Sequence, residues 1–292
     1  MIDAEHPALV HLTRFNLAQP GDTQLGAELA AVLSPAAQVS VEELQWQGHT
    51  LGSLSAKLAV RDRELEASEL ALSGAAGEGR GTARCLEESC NLGFTLDSDD
   101  AAAALGAFGF APELSARYAH LEGQLRWSPG VSAPLATLGG SLHMRLDEGA
   151  MTPTVDGMGM PFPLLSVPAL LTGMHPGSGE SPPPVLRFAR FSADYELLDG
   201  EARTSGLHFD GDAEILVRGR IGLASGDYDQ QAWILRGEDR LPAALRRLSP
   251  SPRVAALWLS LRDLWGGDGA GRARAALHLQ GRWSDPIVTP LE

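Results

Sequence analysis

Basic residues, aromatics and cysteines are all scarce in this chain, and long apolar runs are missing. Lys and Arg number 23 against 37 Asp and Glu over 292 residues, for a formal net charge of −14. That balance argues against nonspecific nucleic-acid binding, which needs a basic surface to neutralise phosphates, and against adsorption to anionic head groups. Aromatics make up only 6% of residues. No stretch approaches the roughly 20 apolar residues that span a bilayer as a helix. The opening MIDAEHPALVHL lacks the basic, apolar and cleavage regions of a secretory signal. It reads as entry into the middle of a β domain, as in a fragment of a longer chain. The two cysteines, Cys85 and Cys90 in RCLEESCNL, suit facing positions at a hairpin end, where a disulfide would imply an oxidising compartment. Two free thiols in a cytosolic loop is the other reading.

Familiar chemical signatures are missing too. The eight histidines are scattered, with no HExxH and no paired-cysteine zinc spacing. GAAGEGRG (74–81) has neither the P-loop Lys-Ser/Thr nor dinucleotide spacing and reads as a flexible strand edge or a turn. There is no G-x-S-x-G elbow, and Asp210-Gly211-Asp212 lacks the later acids of a calcium loop, so it reads as a turn. No cofactor is implied, and no enzymatic nucleophile can be assembled.

What the chain does have is period-two alternation. Its 33 Gly and 19 Pro suit many turns. In 191–235, Phe191, Ala193, Tyr195 and Leu197 share one strand face, Asp199-Gly200 turns the chain, and Ile215, Val217 and Ile221 alternate with Glu214, Leu216, Arg218 and Arg220. That is an antiparallel meander with one apolar and one wet face. Similar strands are expected at Leu9–Leu17, Val39–Trp46, Leu51–Val60, Glu64–Leu72, Gly77–Arg84, Asn91–Leu96, Leu121–Trp127, Leu135–Leu146 and Arg272–Trp283. Asp99-Asp100 caps an alanine-rich helix that Gly109 stops, and a second helical piece is expected after Pro112. Region 148–184 is rich in Met and Pro; it reads as a loop with one buried helical turn or as an apolar flap. Helices are also expected at Leu241–Leu248 and Val254–Trp265, the second with a wide apolar face. Trp46, Trp127 and Trp283, near strand ends, read as core or rim packing, or as rings at a lipid–water boundary.

Three phrases carry a resemblance: VEELQWQGHTLGSLSAKL (41–58), LDGEARTSGLHFDGDAEILVRGRIGLASGDYDQQ (198–231) and LHLQGRWSDPIVTPL (277–291). Each alone is a strand-turn-strand phrase. In this order they resemble the C-terminal part of the AsmA-like proteins, in the YhdP branch. The family's longer section around an LPRRL-type motif is reduced here to PFPLLSVPALLTG and a Met/Pro-rich run. The resemblance implies a Gram-negative envelope protein, anchored in the inner membrane by an N-terminal segment absent here, with a periplasmic β-groove that moves phospholipid toward the outer membrane.

The expected fold is therefore mainly β: a long curled antiparallel sheet, an open groove or half-barrel, with a few short helices packed at its ends. Residues 1–147 would form a β-meander module with the helical insert, 148–184 the loop or flap, and 185–292 a C-terminal β module with helix 254–265. Leu54, Leu58, Leu142, Met144, Ile215, Val217, Leu277 and Leu279 are the candidates to line the groove, chosen by alternation alone; a one-residue slip would exchange the faces. Phospholipid is the expected partner, with membrane contact through the missing anchor and the C-terminal helix, and no nucleic acid. The competing expectation is a scaffolding β domain with a closed core.

Overall fold

Burial follows the alternation closely. In Leu186–Leu198 the side chains of Phe191, Ala193, Tyr195 and Leu197 are buried, while Asp194 and Glu196 between them are exposed. Asp199 and Gly200 then both take positive φ, 47° and 78°, the mirror-image turn whose twist matches the strands it joins. Gln47 and Gly48 repeat that geometry between the second and third strands.

The structure, a computed structural model, describes residues 8–17, 36–61, 64–86, 88–110, 114–129, 131, 134–151, 166–173, 185–236 and 275–291. The first seven strands are β1 Ala8–Leu17, β2 Ala36–Trp46, β3 His49–Arg61, β4 Glu64–Gly74, β5 Gly77–Cys85, β6 Cys90–Ser98 and β7 Leu114–Trp127. The next seven are β8 Gly139–Met151, β9 Leu186–Leu198, β10 Glu201–Gly211, β11 Glu214–Gly222, β12 Asp227–Arg236, β13 Ala275–Arg282 and β14 Asp285–Pro290. Among the described residues two α-helices accompany them, α1 Ala101–Ala107 and α2 Ser166–Gly173. All fourteen strands form one open sheet in sequential order. Every pairing is antiparallel except β1 with β2, which is parallel.

Several local expectations need correction. The segment after Pro112 is not helical from Leu114 onward: Leu114 and Ala116 are buried and Ser115 and Arg117 exposed, so period two begins there and β7 starts early. Residues 134–137 form a short 3-10 turn, and β8 begins at Gly139. Of the two readings of the glycine-rich 74–81, the turn holds: Ala75-Ala76 joins β4 to β5, and Gly77–Cys85 lies between β4 and β6. In 148–184 the chain completes β8 and forms α2; residues 152–165 and 174–184 lie outside the described residues. So do the expected helices at 241–248 and 254–265.

Two devices bend the sheet. At three adjacent strands the buried face skips a residue together: Ala116 to Ala119 in β7, Leu146 to Gly149 in β8 and Phe188 to Phe191 in β9, all in register. Glu148 sits at the slip with φ 53° and meets Arg117 at 3.3 Å. Glu69, φ 52°, marks a similar irregularity between β3 and β4 and meets Lys57 at 2.7 Å. Such bulges bend a strand and raise its twist.

Each helix touches strands that are not neighbours in the sheet. Asp100 caps α1, its Oδ1 accepting from the Ala103 amide at 3.0 Å. This helix touches both β3 and β7, four strands apart, or about 19 Å across a flat sheet. α2 likewise touches β13 and β14, while its Ser166 interacts with Tyr195 on β9.

Candidate functional site

The apolar face can be followed strand by strand through the backbone register. Starting at Leu12 on β1, partners run through Val41, Leu54, Leu72, Gly79, Leu96 and Leu121. The same row continues through Met144, Ala193, Leu207, Val217, Ala232 and Leu277 to Pro290 on β14. One residue per strand, all apolar, crosses the whole sheet. A second row four residues along β3, entered at Ala37 and Leu58, is also without charge from β1 to β14.

Access to this face changes along its length. On β3 to β7, Leu54, Leu58, Leu72, Phe94, Leu96, Leu121 and Leu125 are only half-buried. From Met144 to Ala232 the first row is closed throughout, and Phe191, Leu207, Phe209 and Val217 have no exposed surface. Val167, Ala169 and Leu170 of α2 belong to this core. Ala101 of α1 joins it as well, whereas Ala107 joins a separate cluster with Val41, Leu44 and Leu51 at the other end. α1 thus lies against β3 and β7, the first and last of the half-buried strands, while α2 packs into the closed C-terminal core.

All eight candidate residues stand on the apolar face. Leu54, Leu58 and Leu277 keep part of their surface; Leu142, Met144, Ile215, Val217 and Leu279 are sealed. Alternation in a single strand did not single out Phe94, Leu96 and Leu121, which dominate the accessible middle. Their signal was present, since Leu92, Phe94 and Leu96 occupy every second position of NLGFTL. Cys85 and Cys90 face each other at the β5–β6 hairpin end and form a disulfide, with 4.1 Å between their Cα atoms. Trp283 closes the β13–β14 turn, its indole N–H donating to the Asp227 carbonyl at 3.3 Å.

In the described strands charge is confined to the opposite face. Among the described residues the buried polar side chains are Ser166, Thr204 and Gln230, all neutral. The Tyr118 hydroxyl donates to Asp97 at 2.6 Å and His120 meets the same oxygen at 2.7 Å; these bonds hold the Asp97 carboxyl below its ordinary range. His143 meets Asp194 at 2.7 Å, and Asp147 bridges Arg145 and Arg190 at 2.7 and 3.1 Å. Ser225 and Arg220 bond Asp227, which lowers that carboxyl and raises the guanidinium. Such exposed pairs add little stability each; their consequence is a wet outer surface. A concavity there holds Glu122, His143, Asp194, Glu196 and Arg203. Among the described residues no serine is hydrogen-bonded to His143, and no three potential ligands are grouped to hold a metal.

A protein-family profile described as YhdP protein matches residues 2–237. The chain belongs to the YhdP family. No significant match was found among curated proteins or solved structures. The family match spans β1 through β12, the part of the sheet that contains both the accessible middle and most of the sealed portion. Among the described residues no helix is long and apolar enough to cross a membrane.

Proposed function

We propose that this chain is a segment of a periplasmic lipid conduit, in which the apolar face shields phospholipid acyl chains between the inner and outer membranes. The observation that carries the reading is the uncharged register row that crosses all fourteen strands. Shielding contributes about 0.8 kcal/mol per CH₂ removed from water, and a wall without buried charge lets a chain slide without breaking specific contacts. Membership in the YhdP family supports an envelope lipid-transport protein, and the Cys85–Cys90 disulfide suits an oxidising compartment. The half-buried leucines of β3 to β7 are the lipid-accessible stretch, and the strands around α2 form a closed end.

A scaffolding role is the second reading, favoured by that closed end, where β9 to β12 and α2 pack as an ordinary core. Native mass spectrometry of the purified chain separates the two. A conduit carries co-extracted phospholipid and takes up a fluorescent phospholipid, and Leu96→Asp or Leu121→Asp abolishes uptake while the fold persists by circular dichroism. Lipid-free protein with no uptake defeats the conduit.

A further inference from the structure

At one end of strands β3 to β7 the apolar face reaches the rim of the sheet. The last inward-facing residues there are Val60, Leu65, Cys85, Cys90 and Trp127, and each pairs with the next in register. They stand two residues outward from Leu58, Ala67, Ala83, Leu92 and Leu125 of the second apolar row, so they share its face. The Cys85–Cys90 disulfide is therefore one member of an uncharged row on the apolar side. Cys90 is buried, while Val60, Leu65, Cys85 and Trp127 keep part of their surface. Leu86, at the tip of the hairpin that the disulfide closes, is 46% exposed. Its amide donates to the Ser89 carbonyl at 2.8 Å.

The other end of these strands is different. There α1, which follows β6, packs against β3 and β7, and Ala107 joins Val41, Leu44 and Leu51. The half-buried stretch thus continues without charge to the rim that α1 does not occupy. A single exposed leucine is ordinary on a protein surface. Here Leu86 prolongs a row of partly exposed apolar side chains that ends in an indole, a ring favoured where lipid meets water. Charge around the row is nearly balanced: segments 61–66 and 84–88 together with Arg126 carry four basic and five acidic residues. Arg84 is held by Glu64 at 2.8 Å. No surplus of basic residues draws this rim to anionic head groups. An electroneutral, zwitterionic layer matches it in both charge and polarity.

We propose that this rim is a docking lip that seats the sheet sideways on a zwitterionic phospholipid surface. Leu86 and Trp127 enter the head-group layer, and the row from Val60 to Trp127 leads acyl chains onto the half-buried face. This rests on the lipid-shielding reading above and adds to it a route of entry along the strands.

Two assays on the full chain test it: flotation with palmitoyl-oleoyl-phosphatidylcholine vesicles, and uptake of a short-chain fluorescent phosphatidylcholine supplied as monomer, without a membrane. The wild type should float with the vesicles and take up the monomer. Leu86→Asp should weaken vesicle binding by about tenfold, the order expected for the loss of one inserted leucine, and leave monomer uptake unchanged. Trp127→Gln should weaken vesicle binding as well, with the fold of both variants checked by circular dichroism. Vesicle binding that survives either substitution in a folded protein overturns the lip. A wild type that stays off the vesicles also overturns it and leaves the rim to a protein partner. Loss of monomer uptake in folded Leu86→Asp overturns it too, by making the residue part of the groove wall. A wild type that floats yet takes up no monomer is the separate outcome that defeats the lipid-shielding reading itself.

Discussion

The ring of Phe94 lies directly over Gly123 on the neighbouring strand, with Cε1 2.5 Å from where a β-carbon on that glycine would stand. A large half-buried ring thereby fills the space above a residue that has no side chain to displace it. Gly123→Val should drive the ring off and cost about 1–3 kcal/mol of stability, as overpacking does. In a Phe94→Ala background the same change should cost much less, a coupling that a double-mutant cycle in urea would measure. Equal costs in both backgrounds would show that the ring does not depend on the glycine.

The difference between the closed and accessible parts of the face should appear in stability. Phe191→Ala empties a site with no exposed surface, and about 3–5 kcal/mol should be lost. Leu58→Ala, at a half-buried position on β3, should cost clearly less because the wild-type side chain already meets solvent. Chemical denaturation of the two variants decides the order, and a larger loss at Leu58 would reverse the assignment of closed and accessible halves.

All three tyrosines of the chain hold their protons more tightly than a free phenol. Tyr118 does so because it donates to Asp97. Tyr195 and Tyr228 do so through burial; the interaction with Ser166 opposes the rise at Tyr195, though Ser166 Oγ lacks a partner at full hydrogen-bond geometry. With folded values raised above the unfolded value of about 10, the linked stability is complete below that pH and is lost as pH climbs through the folded values. Phenolate absorbance should therefore stay low past pH ~10 and rise together with loss of the circular dichroism signal. A phenolate signal that titrates near the ordinary value in a folded protein would contradict this.

Removing the Cys85–Cys90 link, which closes a short hairpin, should lower stability by about 2 kcal/mol on the chain-entropy estimate for so small a loop. Cys85→Ser with Cys90→Ser, compared with the oxidised wild type by thermal unfolding, gives the value. The sheet should remain intact, since six register pairs from Glu78↔Asp97 to Ala83↔Leu92 still tie β5 to β6.

Much of this architecture was legible in the sequence. Alternation placed strands in most of their positions and assigned Phe191, Ala193, Tyr195 and Leu197 to the buried face, because a strand side chain has only two directions. Asp199-Gly200 marked its turn, Asp100 its cap, and the cysteine spacing its hairpin end, since each is a local backbone demand. What lay beyond local reading depended on the rest of the chain. The face slips at Ala116–Ala119, Leu146–Gly149 and Phe188–Phe191 come from a bulge carried through three strands, and hydropathy does not record φ. Parallel pairing of β1 with β2 was equally silent, because both directions bury the same alternating residues. Which stretch of the apolar face is closed was decided by α2, a helix far in sequence from most of the strands it covers. Gln230 shows the limit best: in DYDQQAWIL either glutamine could face inward, and only the register of β12 against β11 and β13 put this one on the apolar face.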